Sequence, residues 1–281
     1  MPRLARWLPS LLLVLATPVA AQQKPLLTPA DYGQFESLGF GTSLSPDGRW
    51  LAYLVNRVNE QNELRIRPLD RDTTIVGAFG TAPRFAANSR WLAWTVGVSP
   101  EERARLEKDR KPVRTGVAVL NLVTGGRVTH EQVRAHAFDA TGQYLALHGY
   151  APEAPSGKGA DLRVVHLASG TVMNFGNVGE FSWSDRGSLL AMAIATGTTI
   201  GNGIQVHNAA TGQLRSLDAS SSTYRALAWR KDALDLVALR TEAAAGAAGT
   251  RHHLLVWRGA DGTPTRLDLN LAAAGVADTL E

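Results

Sequence analysis

Ser45-Pro46-Asp47-Gly48-Arg49-Trp50-Leu51-Ala52-Tyr53 decides the fold. A turn built from Ser, Asp and Gly leads into a bulky residue and an apolar run. The pattern returns at Ala87-Asn88-Ser89-Arg90-Trp91-Leu92-Ala93-Trp94 and at Asp139-Ala140-Thr141-Gly142-Gln143-Tyr144-Leu145-Ala146-Leu147. It returns again at residues 184–192 and, most degraded, at 230–238. The aligned positions Trp50, Trp91, Tyr144, Leu189 and Asp235 are 41, 53, 45 and 46 residues apart. Periods of about 40–50 residues mark propellers or solenoids.

A second signal lies between these copies. Val119-Leu120-Asn121-Leu122-Val123-Thr124-Gly125-Gly126-Arg127-Val128 reads strand, turn, strand, and residues 165–172, 206–214 and 256–264 repeat it. Residues 66–74 are an earlier version without Gly. A Gly after Thr, Ser or Asp supplies the positive φ of a tight hairpin turn. Each period therefore holds two hairpins. In the first, strands are expected near 41–44, 50–55, 63–68 and 73–76. Four short antiparallel strands per period describe a propeller blade. The fold class expected is all-β: a β-propeller of five four-stranded blades at about 38–77, 78–130, 131–175, 176–217 and 218–268. A helical solenoid lacks its sustained 3.6-residue period here.

The second strands are nearly continuous in apolar residues, as in Trp91-Leu92-Ala93-Trp94-Thr95-Val96, which suits a sheet packed on both faces. The fourth strands are more polar and belong at the rim. One insertion interrupts the second blade. Ser99 has the character of an N-cap, Pro100 suits the first helical position, and Glu101 and Glu102 follow in the first turn. A short solvated helix is expected there. The segment 101–114 holds six bases and four acids, so an arm toward a partner domain or acidic ligand is the sharper alternative.

The chain has 281 residues, 44% hydrophobic and 19% charged, with a formal net charge of +4 and no cysteine. This balance excludes general disorder. The missing Cys excludes disulfides, thiolate metal sites, a Cys nucleophile and a lipoprotein anchor. The positive excess is too small for a nucleic-acid binder, and no nucleic-acid partner is expected. Arg3 and Arg6 precede an apolar run from Leu8 to Ala16, and Val19-Ala20-Ala21 supplies small residues for cleavage. Residues 1–21 therefore read as a signal peptide, too short in its apolar part to span a bilayer. The mature protein would start at Gln22, enter the periplasm or beyond without stable membrane insertion, and open with a lead-in segment over 22–37.

No residue is assigned a catalytic, cofactor-binding or metal-binding role, because each candidate fails on chemistry. A serine hydrolase elbow needs Gly-x-Ser-x-Gly; Gly41-Thr42-Ser43-Leu44-Ser45 lacks the second Gly. A zincin pair needs His at i and i+4 on a helix; His130 and His136 are six apart, on a loop entering a strand. His252 and His253 are adjacent in a strand and so face opposite ways. The Gly-rich stretch 197–203 has no Lys and no following helix, so it is no phosphate loop. Asp47, Asp139 and Asp185 recur as turn residues, better read as Asx-turns than as a glycosidase carboxylate pair.

The segment 45–53 resembles the repeat turn of TolB-like propellers and of the N-terminal propeller in prolyl oligopeptidase family serine peptidases. Leu27-Thr28-Pro29-Ala30-Asp31-Tyr32 resembles the mature start of exported bacterial members of that family. The charged excursion from Ser99 to Arg114 is similar to an insert seen in them. The resemblance implies about seven or eight blades followed by an α/β-hydrolase domain carrying Ser, Asp and His, none of which has a counterpart here. An open array leaves the first and last blades each with one bare face. Residues 269–281, rich in Ala, make a weak closing strand and read as a tail or the start of a missing blade. The expectation is an incomplete array, the front part of a longer prolyl oligopeptidase, dipeptidyl or acylaminoacyl peptidase-like enzyme. By resemblance, its propeller gates peptide substrates toward the catalytic α/β-hydrolase domain, its partner. A standalone periplasmic TolB-like protein-binding module is the alternative; a five-bladed glycosidase is a third and poorer one.

Overall fold

The structure, a computed structural model, describes residues 26–33, 35–154, 157–243 and 249–271. The expected signal peptide, most of the C-terminal tail and the start of the lead-in lie outside the described residues. A short helix α1 (Pro29–Tyr32) opens the described chain. The first sheet follows with β1 (Glu36–Leu38), β2 (Ser43–Leu44), β3 (Trp50–Arg57), β4 (Glu63–Pro68) and β5 (Ile75–Ala78). The second holds β6 (Gly80–Phe85), β7 (Trp91–Val96), β8 (Gly116–Asn121) and β9 (Arg127–His130), with helix α2 (Pro100–Lys108) between β7 and β8. A seven-stranded sheet comprises β10 (Val133–Phe138), β11 (Tyr144–Gly149), β12 (Ala160–His166), β13 (Val172–Trp183), β14 (Leu189–Ile194), β15 (Gly203–Asn208) and β16 (Gln213–Ala219). The last sheet holds β17 (Thr223–Trp229), β18 (Leu236–Ala243), β19 (Thr250–Arg258) and β20 (Thr265–Asn270).

All these pairings are antiparallel, and apart from β1, which pairs with β3, each sheet is a meander of sequence neighbours, the arrangement of propeller blades. The repeat turn is legible in register. Trp50, Trp91, Tyr144 and Leu189 each begin the second strand of their unit. In the degraded copy the strand begins one residue later, at Leu236. Asp235 instead serves the turns, its carbonyl accepting from Arg230 N and its carboxylate from Gly259 N.

Two departures from the expected outline have local causes. The boundary placed between 175 and 176 falls inside β13, which runs unbroken from one four-strand unit into the next. The strand bends there instead of looping: Asn177 takes a φ of 59° and the register shifts between Val178 and Glu180. The first sheet gains a fifth strand because β1 pairs with β3 beyond β2, two residues into the stretch read as lead-in. The last hairpin also differs. Its positive φ lies at Gly259, before the Asp, and not at Gly262, so the rule that holds for Gly125, Gly170 and Gly212 fails in that copy.

Cores form between successive four-strand units, including the two halves of the seven-stranded sheet. Ala52, Leu64 and Ile66 of the first sheet meet Leu92, Trp94 and Ala118 of the second. Trp94 is fully buried, and its ring lies where any side chain on Gly77 would stand, a Cβ there falling 2.9 Å from the indole nitrogen. The other face of the second sheet, through Ala93, Val117 and Val119, packs on Leu145 and Leu147. Ala146 and Leu162 then pack on Leu190 and Met192, and Ala191 and Ile204 on Leu255 and Trp257. Strands β7 and β14 are buried on both faces for this reason, as their continuous apolar runs predict. Strand β20 is almost wholly exposed, consistent with a rim position.

The repeat turns are joined to one another. Asp47 N donates to Ser89 Oγ at 3.0 Å, Asn88 Nδ2 to Gly142 O at 2.7 Å, Ser188 Oγ to Asp139 Oδ2 at 2.6 Å and Asp232 N to Asp185 Oδ2 at 2.7 Å. Each unit is thus tied to the next at the same corner. The Asx-turn reading holds for Asp47 and Asp139, whose carboxylates accept from Arg49 N and Thr141 N, each two residues on.

Candidate functional site

The first strand of each unit carries the features that stand out chemically. These inner strands, β2, β6, β10, the second half of β13, and β17, are held to one another by direct bonds in the later units. Trp183 Nε1 donates to Ala137 O and Trp229 Nε1 to Ser182 O, each at 3.0 Å. The indoles therefore pack between sheets while reading the backbone of the preceding inner strand.

A bulge interrupts the pairing in β6, β10, β13 and β17. In β17 the bulge residue Ala226 adopts a φ of 56°. Its amide and that of Leu227 are freed from the ladder, and both donate to one carboxylate. Ala226 N reaches Glu180 Oε2 at 2.7 Å and Leu227 N reaches Glu180 Oε1 at 2.9 Å. Paired backbone amides in a local left-handed turn form a ready anion receptor, and here β13 supplies the anion.

On these first strands the charge is positive. Arg84 on β6, Arg134 on β10 and Arg225 on β17 are exposed, while Glu180 is the one acid on these strands. Small residues hold several further exposed positions, Thr81, Ala82, Ala135, Ala226 and Ala228 among them, while Leu44 on β2 is an exposed apolar one. His136, largely buried on β10 with its Nε2 unpartnered, is pushed down to about 4 by burial and by the nearby Arg84 guanidinium. It stays neutral at physiological pH.

A second ionic cluster joins β16 to the last sheet. Asp218 accepts from Tyr224 Oη at 2.8 Å and Arg266 at 2.9 Å; Asp268 accepts from Arg266 and Arg240 at 3.2 Å and stands 2.7 Å from His253 Nδ1. Burial pushes the Tyr224 hydroxyl up to about 12. Arg240 and Asp218 are largely buried, and every carboxylate in the group faces a guanidinium. Its plain role is to fix how the last sheet sits on its neighbour.

The candidate residues of the sequence are dispersed over the fold. Ser43 lies in β2, entering the first repeat turn, and not on a strand-to-helix elbow. His130 ends β9 and His136 lies in β10, in different sheets. His252 contacts the hydroxyls of Thr241 and Thr250, whereas His253 contacts Asp268, so the two rings do point apart. In the 197–203 stretch, Asn202 is buried and ties Thr196 to Ser222, a structural turn. His166 does meet a hydroxyl, Ser169 Oγ at 2.7 Å, but within a C-terminal hairpin turn of its unit and with no carboxylate bonded to it among the described residues. No group of three or more His, Asp or Glu side chains is placed to hold a metal among the described residues. The adjoining cleft, lined by Tyr144, His166, Met173 and His207, has a volume of about 220 Å³, below the usual range for small-molecule sites. The Glu180 receptor was not legible in sequence, since it depends on a bulge 46 residues away.

Helix α2 forms as expected. Ser99 Oγ accepts from Glu102 N at 3.1 Å, and the helix buries none of its residues. It leans on the β3–β4 loop, with Arg103 on Glu60 at 3.2 Å and Gln61 on Glu101 at 3.1 Å. The same loop takes the lead-in, Asn59 N donating to Gly33 O at 3.2 Å. Lead-in and insert therefore meet on one side of the first two sheets. No helix among the described residues is long and apolar enough to cross a membrane.

No protein-family model matches the chain, and no curated protein matches it. Solved structures do. A prolyl endopeptidase is 15% identical, with 82% of this chain and 35% of that chain covered and a TM-score of 0.49. The β-propeller domain of the trilobed protease from Pyrococcus furiosus is 11% identical, covering 84% and 72%, with a TM-score of 0.47. TolB from Acinetobacter baumannii is 14% identical, covering 84% and 54%, with a TM-score of 0.38. The chain spans about a third of the length of the prolyl endopeptidase it matches. The solved structures it is similar to are thus prolyl peptidase and TolB proteins, and its own meandering, face-packed sheets make it a β-propeller.

Proposed function

We propose that this chain is the noncatalytic propeller of an exported serine peptidase, gating peptides toward an α/β-hydrolase domain that supplies Ser, Asp and His. The observation that carries the reading is the meeting of lead-in and helix α2 on the β3–β4 loop. These are the two segments whose sequences resemble exported prolyl oligopeptidase family members. A helix that buries nothing against its own sheets is surplus to the propeller and suited to a partner domain. Export rests on the signal-like residues 1–21.

A standalone periplasmic TolB-like binding module is the second reading. The exposed Arg84 and Arg134 on β6 and β10 favour it, because they offer a charged face that needs no catalytic domain. Sequencing the gene past codon 281 separates the two. Further blade turns and a Gly-x-Ser-x-Gly elbow in frame support the peptidase; an immediate stop followed by an unrelated gene supports the binding module.

A further inference from the structure

We infer that the cleft between the third and fourth four-strand units holds one soft monovalent cation, copper(I), through His166 on β12, Met173 on β13 and His207 on β15. The inference goes beyond the peptidase reading and holds equally for a binding module.

Topology brings these side chains to one place. Tyr144 pairs directly with His166, and Val164 with Met173, so the four side chains stand on one face of the third unit. That face packs on the fourth unit, where the rings of Phe175 and His207 meet with centroids 5.0 Å apart. His166, Met173 and His207 line one cleft of about 220 Å³, together with Tyr144 and Thr171. The volume is small for an organic ligand and ample for an ion.

The ligands are already arranged for binding. His166 Nδ1 stands 2.7 Å from Ser169 Oγ, which bonds onward to Thr171 Oγ1 at 2.8 Å. The ring also lies against Tyr144, centroids 5.1 Å apart. Such a partner on one nitrogen fixes the direction of a metal-binding imidazole and leaves the other nitrogen for the ion. His207 is only 1% exposed, yet its Nδ1 has no hydrogen-bond partner among the described residues. A bound cation accounts for a buried polar ring left unsatisfied in this way. Met173 is half-exposed, and its flexible thioether can swing over the cleft.

The donor set selects the ion. Two imidazoles and a thioether are uncharged, and soft donors of this kind suit copper(I). No carboxylate among the described residues lines the cleft, and the chain has no cysteine to supply a thiolate. A divalent ion would therefore enter without an anionic ligand to balance its charge.

Titration of the intact protein with copper(I), kept reduced by ascorbate and competed against the chromophoric chelator bicinchoninate, tests the inference. The protein should withdraw one equivalent of copper(I) from the chelator, and zinc(II) should not displace it. X-ray absorption should show nitrogen and sulfur scatterers around the same ion. Met173→Leu should weaken binding about tenfold, equivalent to about 1.4 kcal/mol, and erase the sulfur scatterer. His166→Ala should weaken binding by at least as much. His252→Ala, in the last sheet, should leave both readouts unchanged. Circular dichroism checks that the variants fold; should His166→Ala unfold, the half-exposed Met173→Leu must still show its loss. Absent withdrawal of copper, unchanged affinity or a retained sulfur scatterer in Met173→Leu, an equal loss in His252→Ala, or displacement by zinc(II) each overturns the inference.

Discussion

Ser188 donates its hydroxyl to the carboxylate of Asp139 at 2.6 Å, across 49 residues and between two consecutive four-strand units, with both side chains buried. Asp139 also accepts from Tyr144 N at 2.8 Å within its own turn. One carboxylate thus closes a turn and ties it to the next, the most buried of four such links around the repeat corners.

Asp139→Ala should therefore cost more than removing either bond alone. It strands the Tyr144 amide and the Ser188 hydroxyl together, and each unsatisfied buried group costs about 1–3 kcal/mol. Asp47→Ala, at the exposed first turn, should cost less. Urea denaturation of the two variants beside Ser188→Ala gives the comparison; equal losses for Asp139 and Asp47 would contradict the role of the buried link.

Gly142 offers a test of how tightly neighbouring turns approach. It has a φ of 70°, and a Cβ there would stand 2.9 Å from both the backbone nitrogen and the side-chain Cγ of Asn88. Gly170 has nearly the same φ, 73°, with open space around it. Gly170→Ala should lose only the backbone preference, about 1 kcal/mol. Gly142→Ala should lose that and the Asn88–Gly142 bond as well, so its thermal midpoint should fall distinctly further.

Glu180 should behave as a structural acid. Glu180→Gln keeps the shape but can offer only one carbonyl oxygen to the amides of Ala226 and Leu227. A destabilisation of about 1–3 kcal/mol is expected, together with faster hydrogen exchange at those two amides. Unchanged exchange there would remove the receptor from the account.

His136 sets a pH dependence of definite sign. Its folded pKa is pushed down to about 4, whereas an unfolded His titrates near the ordinary value of about 6.5. The unfolded chain therefore binds the extra proton first, and the neutral ring's contribution is complete above that value. It is lost as pH falls from about 6.5 toward 4, by roughly 3 kcal/mol in all. His136→Phe should flatten that limb of the stability curve, and the ring resonances of the parent should remain those of the neutral form down to about pH 5.

The sequence carried the architecture because turn chemistry is local. Asp47 with Gly48, and Asp139 with Gly142, announce a turn in their own few residues, and the bulky residue that follows begins the second strand each time. Strand β13 hides its double membership because the unit boundary expected after Phe175 falls where the chain only bends, at Asn177. The Gly259 turn was misplaced because Gly262 follows an Asp and so mimicked its predecessors. What no local pattern reveals is partnership across units. Ser188 meets Asp139, and Glu180 meets the β17 bulge, only after the sheets have stacked. The arginines of the inner strands lie in three separate sheets, and in the linear chain their charges are diluted among those of the rim.

If this propeller, as proposed, shapes access to a reaction whose attacking groups lie in another domain, its own serines should be inert. The most direct measurement treats the purified chain with a fluorophosphonate serine probe and maps any adduct by mass spectrometry, beside an assay for peptide hydrolysis. The predicted result is no labelled serine and no turnover above buffer. A single labelled serine, whose replacement by Ala abolishes measurable hydrolysis, would contradict the claim.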